Sequence, residues 1–508
     1  MAGLRWRRIA LAAVLPGWIA GVALAADADR GRALYEGREV LRTAAGQAAR
    51  ACADCHRPSG MGTFEGRLAV APITGPTLFQ AYDPDVAHFF PPSAQYRVRP
   101  AYDEAKLAAL LRSGVAPDGK VLNPAMPRYL LDDAQAADLA AHLRRLSAQA
   151  PPGIDADTVH LATVTVPGVD PARREAMLST LRRFVEQKNG QSRHEVRRAE
   201  LSLRTREMAK DRKYRVWDLQ HWQLEGDAST WAAQLEELQA RRPVFALIGG
   251  LGRSEWAPVD RFCERHRLLC LLPLVDAPAP NEGDRYSVHF HAGLGADARL
   301  AASLLRGHGA SSFVVRGDPD DPAGARLVSQ TLSGAGLRAA SPGDAGADIV
   351  SLLPPAAHVA WLRASRPQQR VVWLAGAHAL GAAQAAEITA LTRSGWVVSP
   401  MQTGADLERQ LRRARAWARA NGLPDTQLDV TASTMLSAAT LGEAMTHADF
   451  GFTPEYLLEL LEHGLENMFP TSPYPRLSLG PGQRIASKGS WVGEIRPAGL
   501  AWQWQGTR

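Results

Sequence analysis

Cysteine is scarce in this chain, at four of 508 residues, and there is no second cysteine pair close to the first to complete a structural metal site. A phosphate loop is absent. Gly249, Gly250 and Gly252 do not complete a dinucleotide fingerprint, so neither nucleotide signature is present. Neither sign of charge dominates: 58 lysines and arginines stand against 52 acids, interspersed and without a base-stacking motif, which argues against nucleic acid as a partner. The densest basic stretch, 193–206, reads as a solvated helix or hairpin face, with an anionic docking patch as the alternative.

The longest apolar run lies at the start. Arg5, Arg7 and Arg8 precede residues 9–26, broken by Pro16 and Gly17 and ending in Ala23-Leu24-Ala25-Ala26, the layout of a secretory signal over residues 1–25. An uncleaved anchor is the alternative, although the run is barely long enough to span a bilayer. No cysteine follows it for a lipid anchor. Cleavage would remove three arginines and no acid, taking the formal charge from +6 to +3. The expected location is periplasmic, by the general secretory route, without stable membrane insertion afterwards.

Two of the four cysteines fall in Cys52-Ala53-Asp54-Cys55-His56, a pattern that chance would produce about once in a thousand chains of this composition. Two thiols three positions apart can add to the vinyl groups of one porphyrin while the adjacent imidazole ligates its iron. The motif implies one covalently held haem c. A zinc half-site or a redox dithiol is the alternative. A sixth ligand is available downstream, where Asn123-Pro124-Ala125-Met126-Pro127 holds a thioether between two prolines. Met61, five residues after His56, could scarcely reach the opposite face of the ring. Helical periodicity at Leu107, Leu110 and Leu111, and again at Leu139, Leu143 and Leu146 after Asp132 and Asp133, supplies stripes that need a core to cover them.

With Gly31, Tyr35, the CxxCH site, the loop 72–76 and the Met-Pro-Arg-Tyr segment, residues 27–148 resemble a class I cytochrome c domain, small and all-α. The resemblance implies thioethers at Cys52 and Cys55, axial ligation by His56 and Met126, and a backbone carbonyl near Pro72 that accepts the other imidazole N–H. His/Met ligation leaves no open position on the iron. One-electron transfer, not enzymatic turnover, is then the expected work.

Residues 149–157 read as a short linker, and the chain beyond them alternates strand-like runs with amphipathic helices. Runs at 160–166, 244–248, 268–275, 312–315, 348–353 and 371–375 are separated by helical stretches such as 173–188, 230–240, 296–307 and 323–336. This order predicts parallel sheets covered on both faces and two α/β lobes over 158–508. The passages 243–250, 286–290 and 395–400 resemble those of type I periplasmic solute-binding proteins, the first as a strand ending at the ligand cleft and the others as crossings between lobes.

That resemblance implies a small-molecule ligand, and Ser254 and Trp256 are the candidate cleft residues. The turn 166–170 lacks a glycine-rich carboxylate cradle, however, which argues against an amino-acid ligand. The tryptophan-rich passage 217–235 and residues 477–489 resemble a subset found with pyrroloquinoline quinone-dependent alcohol oxidation, which implies a quinoprotein dehydrogenase as redox partner. Cys263 and Cys270 are expected to pair as a disulfide in an oxidising compartment, with two buried thiols as the alternative. His289 and His291 alternate on a strand without a third metal ligand. Two functions fit this reading: a periplasmic electron carrier with a docking or sensing module, or a receptor of an ABC-type transporter with an accessory redox haem.

Overall fold

In the computed structural model of the chain, the described residues are 26–65, 68–81, 99–201, 215–281, 283–448, 451–468 and 472–506. The expected signal segment, 1–25, lies outside them. The described residues form two compact units, one within 26–148 and one from Gln149 onward, with the short Arg57–Met61 segment counted in the second. Among them no helix is long and apolar enough to cross a membrane.

The first unit is helical, and its helices start where the sequence offers caps. In α1 (Ala28–Tyr35) the Asp27 carboxylate accepts from the N–H groups of Asp29 and Arg30. Then come α2 (Cys52–His56), α3 (Gly75–Phe79), α4 (Glu104–Ser113) and α5 (Asp133–Arg145). Thr74 caps α3, so the glycine and second proline of the 72–76 loop open a short helix. Asp132 and Gln135 close a capping box on α5. Two small antiparallel ribbons complete the unit: β1 (Arg42–Thr43) pairs with β4 (Tyr129–Leu130), and β2 (Thr63–Glu65) with β3 (Leu68–Val70).

α1 crosses α5 at Gly31, where an added Cβ would lie 1.9 Å from the Asp138 carbonyl oxygen. Only glycine allows that approach. Around the crossing, Leu34, Tyr35, Leu107, Leu111, Leu139 and Leu143 are buried together, each worth roughly 2 kcal/mol of apolar burial.

The second unit contains two lobes, each built on its own sheet. In the first lobe the strands β5 (Thr158–Thr165), β6 (Val216–Gln223), β7 (Ala246–Ile248), β8 (Leu269–Leu271) and β9 (Ser287–Val288) run in the order β6-β5-β7-β8-β9, all parallel. The second lobe adds β10 (Ser312–Arg316), β11 (Arg338–Ala339), β12 (Asp348–Ser351), β13 (Val371–Leu374), β14 (Gly395–Ser399), β15 (Gly489–Arg496) and β16 (Gly499–Gly506). Their order is β11-β10-β12-β13-β14-β15-β16, parallel through β14 and antiparallel thereafter. Val371, Val372, Trp373 and Leu374 are all buried, as expected for a strand covered on both faces.

Helices connect and cover the sheets. α6 (Pro171–Leu201) follows β5 and takes up residues 193–201 of the basic stretch, the remainder of which lies outside the described residues. Helix Leu428–His447, which follows β14 after one intervening helix, packs back against α6, β7 and β8. A third crossing, after the next helix, runs alongside β9: the His289 N–H donates to the Arg484 carbonyl and the Ala486 N–H to the His289 carbonyl. Phe290 and Tyr474 stack there at 4.4 Å. Multidomain α-then-α/β architecture is therefore what the chain adopts. The passage 395–400, read from sequence as the return crossing, holds the buried strand β14 up to Ser399, and Met401 just beyond it joins the core of the first lobe.

Candidate functional site

The motif Cys52 to His56 folds as the five-residue helix α2, so both thiols and the imidazole come from one rigid turn. His56 is buried, and its Nδ1 lies 2.9 Å from the Ala71 carbonyl oxygen. Burial lowers its proton affinity, with the Ala71 bond opposing that in part. A neutral ring that donates from Nδ1 keeps the lone pair of Nε2 for a metal.

Ala71 reaches the ring because Gly62 permits a close approach. Gly62 has φ +75°, and a Cβ there would lie 2.1 Å from the Val70 carbonyl oxygen. Its own N–H donates to the His56 carbonyl. The sequence marked the neighbourhood of Pro72 but carried no sign of Gly62, because a main-chain contact leaves no side-chain pattern.

Burial also pushes the Cys52 thiol up to about 11, so the folded chain would offer a poor thiolate for thioether formation. Tyr129, buried beside it, is its side-chain neighbour. Met126 is half-buried against the core that contains Cys52. Its N–H donates to the Asn123 carbonyl at 3.0 Å, while the Asn123 side chain accepts from the Ala125 N–H at 2.9 Å. Arg128 then straps the loop by donating to the carbonyls of Met126 and Leu122. Room for its guanidinium comes from Gly114, where a Cβ would fall 1.8 Å from Arg128 Nε. Arg128 belongs to the Met-Pro-Arg-Tyr segment, but its contact with Gly114, fourteen positions earlier, leaves no local pattern in the sequence. Met61 is buried on the loop that follows His56.

These donors suit a c-type haem: two thiols for thioethers, a neutral imidazole and a thioether sulfur as axial ligands. Among the described residues no group of three or more His, Cys, Asp or Glu side chains is gathered so as to hold a metal ion. His289 and His291 are buried, and His291 stacks on Tyr474 at 5.8 Å.

In the second unit, Cys263 and Cys270 form a disulfide with Cα atoms 6.2 Å apart. Ser254 donates to Asp321 at 2.6 Å, linking the loop after β7 to the loop after β10. Trp256 sits in the core of the first lobe, only 2% exposed, covered by Gly250 and Gly252. Trp217, Trp222 and Trp231 are likewise core residues.

Residues 28–147 match the family model described as cytochrome c. The chain carries a cytochrome c domain. Such a domain implies covalently bound haem c and electron transfer. No curated protein matches the chain by sequence.

Among solved structures, a fatty acid ABC transporter substrate-binding protein from Thermomonospora curvata is 13% identical, with a TM-score of 0.49 over 71% of this chain and 95% of that one. A branched chain amino acid ABC transporter protein from Thermus thermophilus with bound valine is 11% identical, TM-score 0.47, over 70% and 98%. An extracellular ligand-binding receptor from Verminephrobacter eiseniae is 17% identical, TM-score 0.44, over 68% and 99%.

Proposed function

We propose that the protein is an exported one-electron carrier with a single haem c, held by Cys52 and Cys55 and ligated by His56 and Met126, whose large unit docks a redox partner or senses a small molecule. The observation that carries this reading is the pairing of the CxxCH helix with the His56–Ala71 bond, which presents a neutral, oriented imidazole beside two thiols. When bound, haem supplies the electron acceptor and donor. The chain's part is positional. Ala71 and Gly62 fix the imidazole plane, Asn123 and Arg128 set the Met126 loop, and Leu107, Leu111 and Leu139 offer apolar walls that exclude water.

The signal-like amino terminus supports a periplasmic location, where haem attachment and a disulfide are both compatible with the compartment. A quinoprotein alcohol dehydrogenase is the partner we favour, from the tryptophan-rich passage of the large unit. The experiment is to purify the haem-loaded protein, measure haem per chain, and mix it with a quinoprotein alcohol dehydrogenase and alcohol while following haem absorbance. One haem and rapid reduction support the whole reading. Reversible reduction by dithionite alone keeps the carrier and discards that partner, and a haem that will not cycle reversibly overturns the carrier.

A further inference from the structure

In the large unit, charged side chains meet where the two lobes face each other. The first lobe contributes Arg173 from α6, Arg253 and Ser254 from the loop after β7, and Asp276 from the loop after β8. Asp429 joins them from the helix that packs back onto that lobe. From the second lobe come Asp318 and Asp321 after β10, and Ala377 and His378 after β13. These loops follow the carboxyl ends of parallel strands, the place where open α/β sheets take their ligands.

The bonds run from lobe to lobe. Arg253 donates to Asp276 at 3.1 Å within its own lobe and to Asp318 at 2.7 Å across the gap. Ser254 donates to Asp321 at 2.6 Å. In the reverse direction the Ala377 N–H donates to Asp276 at 3.3 Å. Arg173 spans the same gap, donating to the Ala377 carbonyl at 2.9 Å, to His378 Nδ1 at 3.0 Å and to Asp429 at 2.8 Å.

Two glycines leave the backbone bare at the contact points. A Cβ on Gly376 would fall 2.8 Å from the Asp276 carboxylate, and one on Gly324 would fall 2.6 Å from both Ser254 Oγ and Asp321 Oδ2. Burial alone would raise Asp276, yet Arg253 beside it and the Ala377 N–H keep it below the usual carboxylate range. Four carboxylates therefore face two guanidiniums. A solute bringing its own carboxylate would meet a surplus of negative charge.

The geometry points to an interlobe latch: Arg253, Asp276, Arg173 and their partners hold the two lobes closed with the chain's own groups, so the large unit acts as a rigid docking body and not as a solute trap. This deepens the docking half of the proposed function and stands without reference to the haem ligands. Buried, directional ion pairs of this kind hold one geometry more than they add net stability.

The test measures the distance between lobes in the full-length, haem-loaded protein. The chain's four cysteines are committed to the haem motif and the disulfide, so spin labels can be placed by Ala233→Cys and Gln330→Cys, exposed positions on the outer helices of the two lobes. The expected result is one narrow distance distribution that an excess of L-leucine leaves unchanged. Arg253→Ala should broaden it toward longer distances, and Asp318→Asn should do so less strongly. A broad distribution that narrows only with leucine would overturn the latch, as would two variants indistinguishable from the parent. If Arg253→Ala does not fold, Asp318→Asn decides alone. Haem absorbance, recorded on the same samples, reports any failure of the electron-carrier reading separately.

Discussion

His56 and Ala71 are joined by a bond of 2.9 Å from the imidazole Nδ1 to a main-chain oxygen, and that oxygen is held in place by the contact of β3 with Gly62. Orientation and basicity of the ligand thus depend on a glycine six residues away. Gly62→Ala puts a Cβ into a left-handed position and against the Val70 carbonyl, which must move and take Ala71 with it. We expect a stability loss of about 1–3 kcal/mol. We also expect a raised reduction potential, since an imidazole without its N–H···O bond is a weaker electron donor. Thermal unfolding and a spectroelectrochemical titration of the haem-loaded variant measure both, and an unchanged potential would detach Gly62 from the haem centre.

Met126 provides a second test. Replacement by Ala removes the proposed sulfur ligand while leaving the Asn123 turn and its main-chain bonds available. The sulfur-to-iron charge-transfer band at the red end of the ferric spectrum should vanish, and the potential should fall, because a thioether favours the reduced iron. Met61→Ala should leave both as they are. Persistence of the band in Met126→Ala would reassign the ligand.

Chemistry concentrated in a few neighbouring residues was legible in the sequence. CxxCH, the proline-flanked Met126 and the helix start at Asp132 and Asp133 are local patterns, and the structure builds a short helix, a strapped turn and a capped helix from them. The alternation of strands and helices after residue 158 was equally visible, because buried parallel strands are nearly continuous apolar runs.

Contacts between distant residues or through the main chain were not legible. Arg173 meets Asp429 across 256 positions, and Ala71 acts through an atom that every residue possesses. β6 was hidden because Trp217-Asp218-Leu219-Gln220 interleaves polar and aromatic groups. Trp256, read as a cleft residue, lies in the core because Gly250 and Gly252 leave room for its indole.

Cys263 and Cys270 link the helix Ala257–His266 to β8 within the core of the first lobe. Closing a loop this short should contribute about 2 kcal/mol on the chain-entropy account. The double variant Cys263→Ala/Cys270→Ala is expected to unfold the large unit at correspondingly lower denaturant, with the haem spectrum unaltered. Equal denaturation midpoints for parent and variant would mean that the bond adds no stability.

Acidification tests the neutrality of His378. Burial, followed by the nearby Arg173, lowers its pKa to about 4, while Asp276 and Asp429 pull the other way and Arg253 adds to the lowering. The ring accepts from Arg173 at Nδ1, which only a neutral imidazole can do. In the unfolded chain the same side chain takes up a proton near its ordinary value, about 6.5. Between those two values the unfolded state binds more protons, so stability falls as pH falls through the window and the contribution is complete only above it. His291, also lowered to about 4, and His358, lowered to about 3, act in the same direction, so the parent protein alone cannot isolate one ring. The difference between parent and His378→Gln can: the variant should lose less stability than the parent from pH 6.5 to pH 4 in urea titrations. Parallel curves would show that His378 does not remain neutral in the fold.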